Sequence, residues 1–229
     1  MKLKRILFWI FIYAFSLVIV IFAVLPFLWT VVSSLKLEGD IYTPGFWPKT
    51  PTLKNYIGVL NDSVMMGYFM NSVIISLGST AVSTLISLLA AYGFSRYRFP
   101  GRNTLLYSIM FTRVLPRVTL LIPFFVILTQ IKLMNTQASL MLVYLIIGMP
   151  VSVWLMKGYI DSVPYEVEEA ANIDGCGPIK TLVRVVIPMI APSIAAIAMY
   201  SFILAWNEFL FPRVLTTDPN VRPISVGLA

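Results

Sequence analysis

Two groups of residues in this chain are placed to do chemistry. The first is an acidic stretch, Glu166, Glu168, Glu169 and Asp174, interleaved with Ala170 and Ala171 and closed by Gly175. The second is a small set of polar groups lodged among apolar residues: Arg113 and Arg117, four positions apart, and the adjacent pair Asn207 and Glu208. Neither set suits a metal or a thiol nucleophile, since the chain has no histidine and Cys176 is its only cysteine. No metal site is expected, and Cys176 reads as a small packing residue. A phosphate-cradling G-x-x-x-x-G-K-[ST] loop is also missing from the sequence, so any ATP hydrolysis must occur on another polypeptide. What remains for both sets is charge and hydrogen bonding without covalent chemistry.

The elements that must position these residues are written in the composition. Of 229 residues, 59% are hydrophobic and only 12% are charged, against about 25% charged in an ordinary soluble domain. Asp, Glu, Lys and Arg do not occur from Ile6 to Leu35, from Ser63 to Ser95, from Leu133 to Met156 or from Val185 to Asn207. Each run exceeds the roughly 20 residues that cross a bilayer as helix. A solvent-exposed enzyme, a disordered tail and a disulfide-built secreted domain are thereby excluded. The net charge of +7 does not form a nucleic-acid-binding stripe, because the basic residues sit at the edges of apolar runs. There they act as topology signals.

The pattern predicts an all-α, polytopic membrane protein with about five spans. Residues 1–35 form a cytoplasmic N-terminus, with Lys2, Lys4 and Arg5, and a first span that is too long for a cleaved signal. Residues 36–69, rich in proline and aromatic residues, read as an external loop with a short helical piece, and residues 70–229 form the transmembrane core. Within that core the spans are expected near Met70–Phe94, Asn103–Gln130, Ala138–Met156 and Val185–Trp206. Arg96, Arg98 and Arg102 make a basic inner turn, and Phe211–Gly227 reads as a loop. Pro116 and Pro123 are expected to kink the third span, with Arg113 and Arg117 on one helix face. A charge at membrane depth faces protein or a water-filled cavity. The two arginines therefore either line a pathway, with Asn207 and Glu208 near its outer end, or pair with a partner subunit or reach the interface.

Between the fourth and fifth spans, Asp161–Pro188 has an order that membrane insertion does not require. Ser162 is a candidate N-cap, Pro164 suits a first helical turn, and the glutamates place negative charge at the positive end of a helix dipole. Ala170 and Ala171 leave a surface small enough for close approach, and Gly175 with Gly177-Pro178 ends the helix. Ile179–Ile187 then leads straight into the fifth span, as if into a rigid rod. Composition alone leaves an ordinary interfacial loop as the alternative.

This segment resembles the EAA signature of binding-protein-dependent ABC importer permeases: E-A-A, three residues, G, nine residues, then I-x-L-P. Here the signature is Glu169-Ala170-Ala171, Gly175 and Val185-Val186-Ile187-Pro188, with Val and Ile in the last element. Tyr97-Arg98-Phe99-Pro100-Gly101, Pro150, Trp154 and Ala205-Trp206-Asn207-Glu208-Phe209 extend the resemblance to the maltose-type, carbohydrate-importing branch over nearly the whole chain. It implies a type I importer fold in the prokaryotic inner membrane, an external solute-binding protein that delivers a sugar, a second homologous permease and an ABC ATPase dimer holding ATP and Mg. It also implies that Glu168, Glu169, Ala170, Ala171, Asp174 and Gly175 dock on that ATPase. Such permeases carry one more span after the region of Arg213–Gly227, so a last span is expected beyond Ala229. Polyols and glycerol phosphates remain alternative cargoes. An ATP-independent secondary transporter or channel predicts embedded carboxylates or internal repeats, and the sequence offers only Glu208 and no duplicated half.

Overall fold

The computed structural model describes residues 2–229, and every regular element among them is helical. The chain divides into two units at Met66 and Gly67. In the first, α1 (Lys2–Ser34) is apolar on all sides, and from Lys4 to Val31 only Ile12 is even partly covered. A helix apolar all round needs an apolar solvent. After it come a 3-10 turn at Glu38–Asp40 and α2 (Lys54–Asn61). Lys36 is buried rather than a free loop charge. Its Nζ donates to the Gly45 carbonyl at 2.7 Å and lies 5.0 Å from the centre of the Trp29 ring.

Helix α3 (Ser63–Arg96) passes into the second unit and begins two turns earlier than expected, because Asp62 Oδ1 accepts the N–H groups of Val64 and Met65 as an N-cap. At about 1.5 Å per residue it is roughly 50 Å long, well beyond the hydrocarbon thickness of about 30 Å. It therefore extends beyond the apolar layer at one end or both. Ser72, Ser76, Ser79, Ser83 and Ser87 form a buried stripe along α3, and Gly148 of α6 (Gln137–Asp161) faces Ser83. In a bilayer such small residues let helices pack closely where apolar burial gives no drive. Thr136 caps α6 by accepting from Ser139 N–H.

The third span is not one kinked helix. Helix α4 (Arg102–Phe111), a 3-10 turn at Thr112–Val114 and α5 (Arg117–Gln130) meet at 104°. Pro116 is the cause: its ring drives Leu115 into extended backbone, with φ −66° and ψ 130°, and the helix stops. Arg113 and Arg117 thus sit on opposite sides of a break, and not on one helix face.

The approach to the fifth span is also bent. Helix α7 (Tyr165–Ile173) is followed by α8 (Pro178–Thr181), a π-type turn at Leu182–Val186, α9 (Ile187–Met189) and α10 (Ala191–Trp206), with an angle of 83° at Ile190. Pro188 and Pro192 lack the N–H groups that would continue the ladder, and Ile187 N–H instead reaches back to the Leu182 carbonyl. The expected straight rod is an elbow. Helices α1, α3 and α6 are each long and apolar enough to cross a membrane, and the two bent pairs bring the number to as many as five.

Phe211–Gly227, read from sequence as a loop, is built into the core. It folds into α11 (Leu210–Leu215), a 3-10 turn at Pro219–Val221 and α12 (Ile224–Gly227). Phe211 and Leu215 are fully buried in a cluster with Leu128, Leu140, Val143 and Ala205. Asn71 Nδ2 donates to the carbonyls of Asn220 and Arg222, and Ser72 Oγ accepts from Ile224 N–H, so α3 holds the segment down. Gly227 lies against the Tyr68 ring so closely that a Cβ there would fall within it. Gly227→Ala is expected to cost about 1–3 kcal/mol through overpacking, seen as a lower melting temperature in detergent. In the background of Tyr68→Ala the same substitution should cost almost nothing.

Candidate functional site

The acidic helix is fastened from behind. The last turn of α3 delivers Arg96, whose Nε is 2.6 Å from Glu168 Oε1 and whose Nη2 donates to the carbonyls of Ile160 and Val163 at 2.9 and 3.0 Å. Nη1 donates to Ser95 Oγ, and Tyr92 OH donates to Glu168 Oε2 at 3.1 Å. The guanidinium thus ties together the ends of α3 and α6 and the face of α7. The two side chains are 12% and 4% exposed. A charge pair withdrawn this far from water is tolerable only when its remaining polar atoms are also satisfied, and here both carboxylate oxygens are. A second link joins the same ends, Ser95 Oγ donating to Asp161, which also pairs with Lys157. Arg96 read in the sequence only as an inner-side charge. The hint was its place as the first charge after the long uncharged run of α3.

Helix phase then decides what α7 shows. Glu168 and Ala171, three apart, turn inward and are buried. Glu166, Glu169, Ala170 and Ile173, spaced i, i+3, i+4 and i+7, share the outer face and are exposed. The two alanines therefore do not form one surface. Ser162 is not the N-cap, since its hydroxyl donates back to the Tyr159 carbonyl. The end of the helix is as expected: Gly175 adopts φ +80°, Cys176 N–H bonds the Ala171 carbonyl and Gly175 N–H bonds that of Asn172. This double bond with a left-handed glycine is a Schellman stop. Asp174 and Gly175 are exposed beside it. Two apolar side chains that the sequence reading passed over project nearby, Ile173 at 86% and Ile179 at 79% exposure. Ile179 borders a shallow depression with Gly177, Pro178 and Val183, flanked by Lys180 and Arg184.

The break between α4 and α5 organises the second group. Arg113 Nη2 donates to Tyr200 OH of α10 at 3.0 Å, and Arg117 Nη1 lies 3.1 Å from Glu208 Oε2. Glu208 is buried, and its other oxygen accepts from Leu210 N–H at the start of α11. Both arginines line a cleft of about 280 Å³ whose other walls include Leu120, Phe124, Ile147 and Pro150. Asn207 stands apart, exposed and donating to the Ile203 carbonyl of its own helix. Three of the four embedded groups are thus gathered at one place, together with Tyr200, which no sequence pattern singled out. Among the described residues no cluster of His, Cys, Asp and Glu is arranged to hold a metal ion.

This arrangement of helices is shared with a chain of a bacterial ABC transporter involved in the import of the acidic polysaccharide alginate. The match has a TM-score of 0.85 over 98% of this chain and 80% of the other; at 23% identity it is a likeness of fold. Residues 83–228 match the family model for the binding-protein-dependent transport system inner membrane component. The chain belongs to that family: it is an ABC importer permease subunit and a multi-pass membrane protein. Over 205 residues it is 36% identical to the sulfoquinovosyl glycerol transport system permease protein SmoH of Agrobacterium fabrum, covering 89% of this chain and 72% of the relative. The trehalose/maltose transport system permease protein MalG of Thermococcus litoralis is 33% identical over 216 residues, 93% of this chain and 78% of the relative. The diacetylchitobiose uptake system permease protein NgcG of Streptomyces coelicolor is 32% identical over 210 residues, 91% and 70% respectively. Membership of this family sets aside the secondary-transporter and channel readings.

Proposed function

We propose that this chain is one of two homologous permeases in an ATP-driven importer, that its cargo is a carbohydrate handed over by an external binding protein, and that α7 seats on an ATPase subunit holding ATP and Mg. The N-terminus is then cytoplasmic, on the side of Arg96, Arg98 and Arg102. The cargo class rests on the relatives, whose names refer to sulfoquinovosyl glycerol, trehalose, maltose and diacetylchitobiose. The docking role rests on one observation, a nine-residue helix held from behind by a buried ion pair that presents Glu169, Ala170 and Ile173 outward. Such an element moves as a body with the ends of α3 and α6. For nucleotide turnover to shift the membrane cleft, α7 must bind the open and closed ATPase dimers with different affinity, since a partner that binds both alike shifts nothing.

Glu169→Lys tests the docking. It reverses a charge on the outer face and leaves the Arg96 anchor untouched, so the permease should insert and pair normally while the ATPase is lost from the purified complex. Undiminished co-purification would reject α7 as the seat.

A further inference from the structure

The cleft at the α4–α5 break is lined by two guanidinium groups, and a single carboxylate, that of Glu208, stands against one of them. Glu208 neutralises Arg117 at 3.1 Å. Arg113 meets only the phenol of Tyr200, and among the described residues no carboxylate lies within 4 Å of it. A phenol supplies an acceptor dipole and no charge. The rest of the lining is mainly apolar, and α5 opens at the same place with no side chain capping its positive end. One positive charge is therefore left over on the exposed face of a broken span, where a charge at membrane depth must meet a partner chain or a water-filled path.

Resting on the proposed function, we infer that the carbohydrate carried past this cleft bears an acidic group, a carboxylate, sulfonate or phosphate, and that Arg113 receives it. Among the described residues only Nη2 of Arg113 is engaged, which leaves the other guanidinium donors to form the paired, parallel bonds that planar oxyanions accept. Lysine would supply the charge without that fork. The cleft volume, about 280 Å³, is near the lower bound of small-molecule sites, about 300 Å³. It suits the acidic end of a sugar rather than a whole oligosaccharide. Arg117, already neutralised, contributes position and not selectivity.

The test uses the whole transporter in proteoliposomes with its binding protein at one saturating concentration, so that the receptor's own selectivity is the same for wild type and every variant. ATP hydrolysis is measured against paired probes: cellobiouronic acid and cellobiose, sulfoquinovosyl glycerol and glucosyl glycerol, glycerol 3-phosphate and glycerol. At least one acidic member should stimulate at a concentration about tenfold or more below its neutral counterpart. Arg113→Gln should lower that preference by about tenfold relative to wild type, Arg113→Lys should keep part of it, and Tyr200→Phe, which removes the internal bond but not the charge, should preserve it. Equal response to both members of each pair in wild type, or a preference that Arg113→Gln leaves undiminished, overturns the inference while leaving a carbohydrate importer standing. No response to any acidic probe, where trehalose, maltose or diacetylchitobiose does stimulate, overturns the inference and leaves the carbohydrate importer standing; no response to those sugars either, with the complex intact and its basal hydrolysis normal, takes down the carbohydrate reading with it.

Discussion

Arg96→Met is expected to unfasten the acidic helix while leaving the membrane spans in place. The substitution keeps most of the apolar stem and removes the guanidinium, stranding Glu168 in a site where it is 4% exposed and freeing the Ile160 and Val163 carbonyls. Removing one partner of a buried pair costs about 3–5 kcal/mol, because the remaining charge has lost both water and its counter-ion. That cost falls on the attachment of α7 to α3 and α6, so substrate-stimulated ATP hydrolysis should drop by about tenfold or more while expression and membrane insertion persist. Pairing Arg96→Met with Glu168→Leu should recover a substantial part of the loss, since no charge is then stranded. Stimulation equal to wild type in the single variant would mean that α7 is held by something other than this pair.

The second large effect is expected at Phe211. Its side chain is fully buried and meets the Phe124 ring edge-on, centroids 5.8 Å apart. Phe211→Ala should destabilise the protein by about 3 kcal/mol, the lower end for truncating a core phenylalanine. Surroundings of lipid reduce the transfer contribution, yet the lost contacts and the cavity remain. The change is read as a lower melting temperature in detergent and as faster proteolysis between Leu210 and Leu228. A variant as stable and as resistant as wild type would return this segment to the status of a loop. Phe211→Leu, which refills most of the space, should lose less than half as much.

The two substitutions probe parts of the fold that differ in how far they were legible beforehand. Long runs without charge locate the helices, since only a helix or a closed barrel satisfies its backbone in lipid, and α1, α3 and α6 lie where those runs are. The stop at Gly175 was equally readable, because the signal is local and glycine suits a positive φ. Glu168 shows the other case. Its helix phase follows from the sequence, but which face is inward depends on Arg96, 72 residues away, and no local pattern carries that information. Pro116 marked an interruption without giving its angle. Whether a proline bends a helix or ends it depends on neighbours that take up the freed carbonyls, and here the chain turned through 104°. The segment after α10 was misread for a related reason. Pro212 and Pro223 look like loop residues, yet both are buried under contacts supplied by α3, α5 and α6.

The 83° turn at Ile190 is favoured by covalent chemistry, since the proline rings at 188 and 192 remove two donors that a straightened helix would need. If α7 seats on an ATPase as proposed, a push on it would meet this bend before it reached α10, and would turn the short arm formed by α8 and α9 rather than slide α10 along its axis.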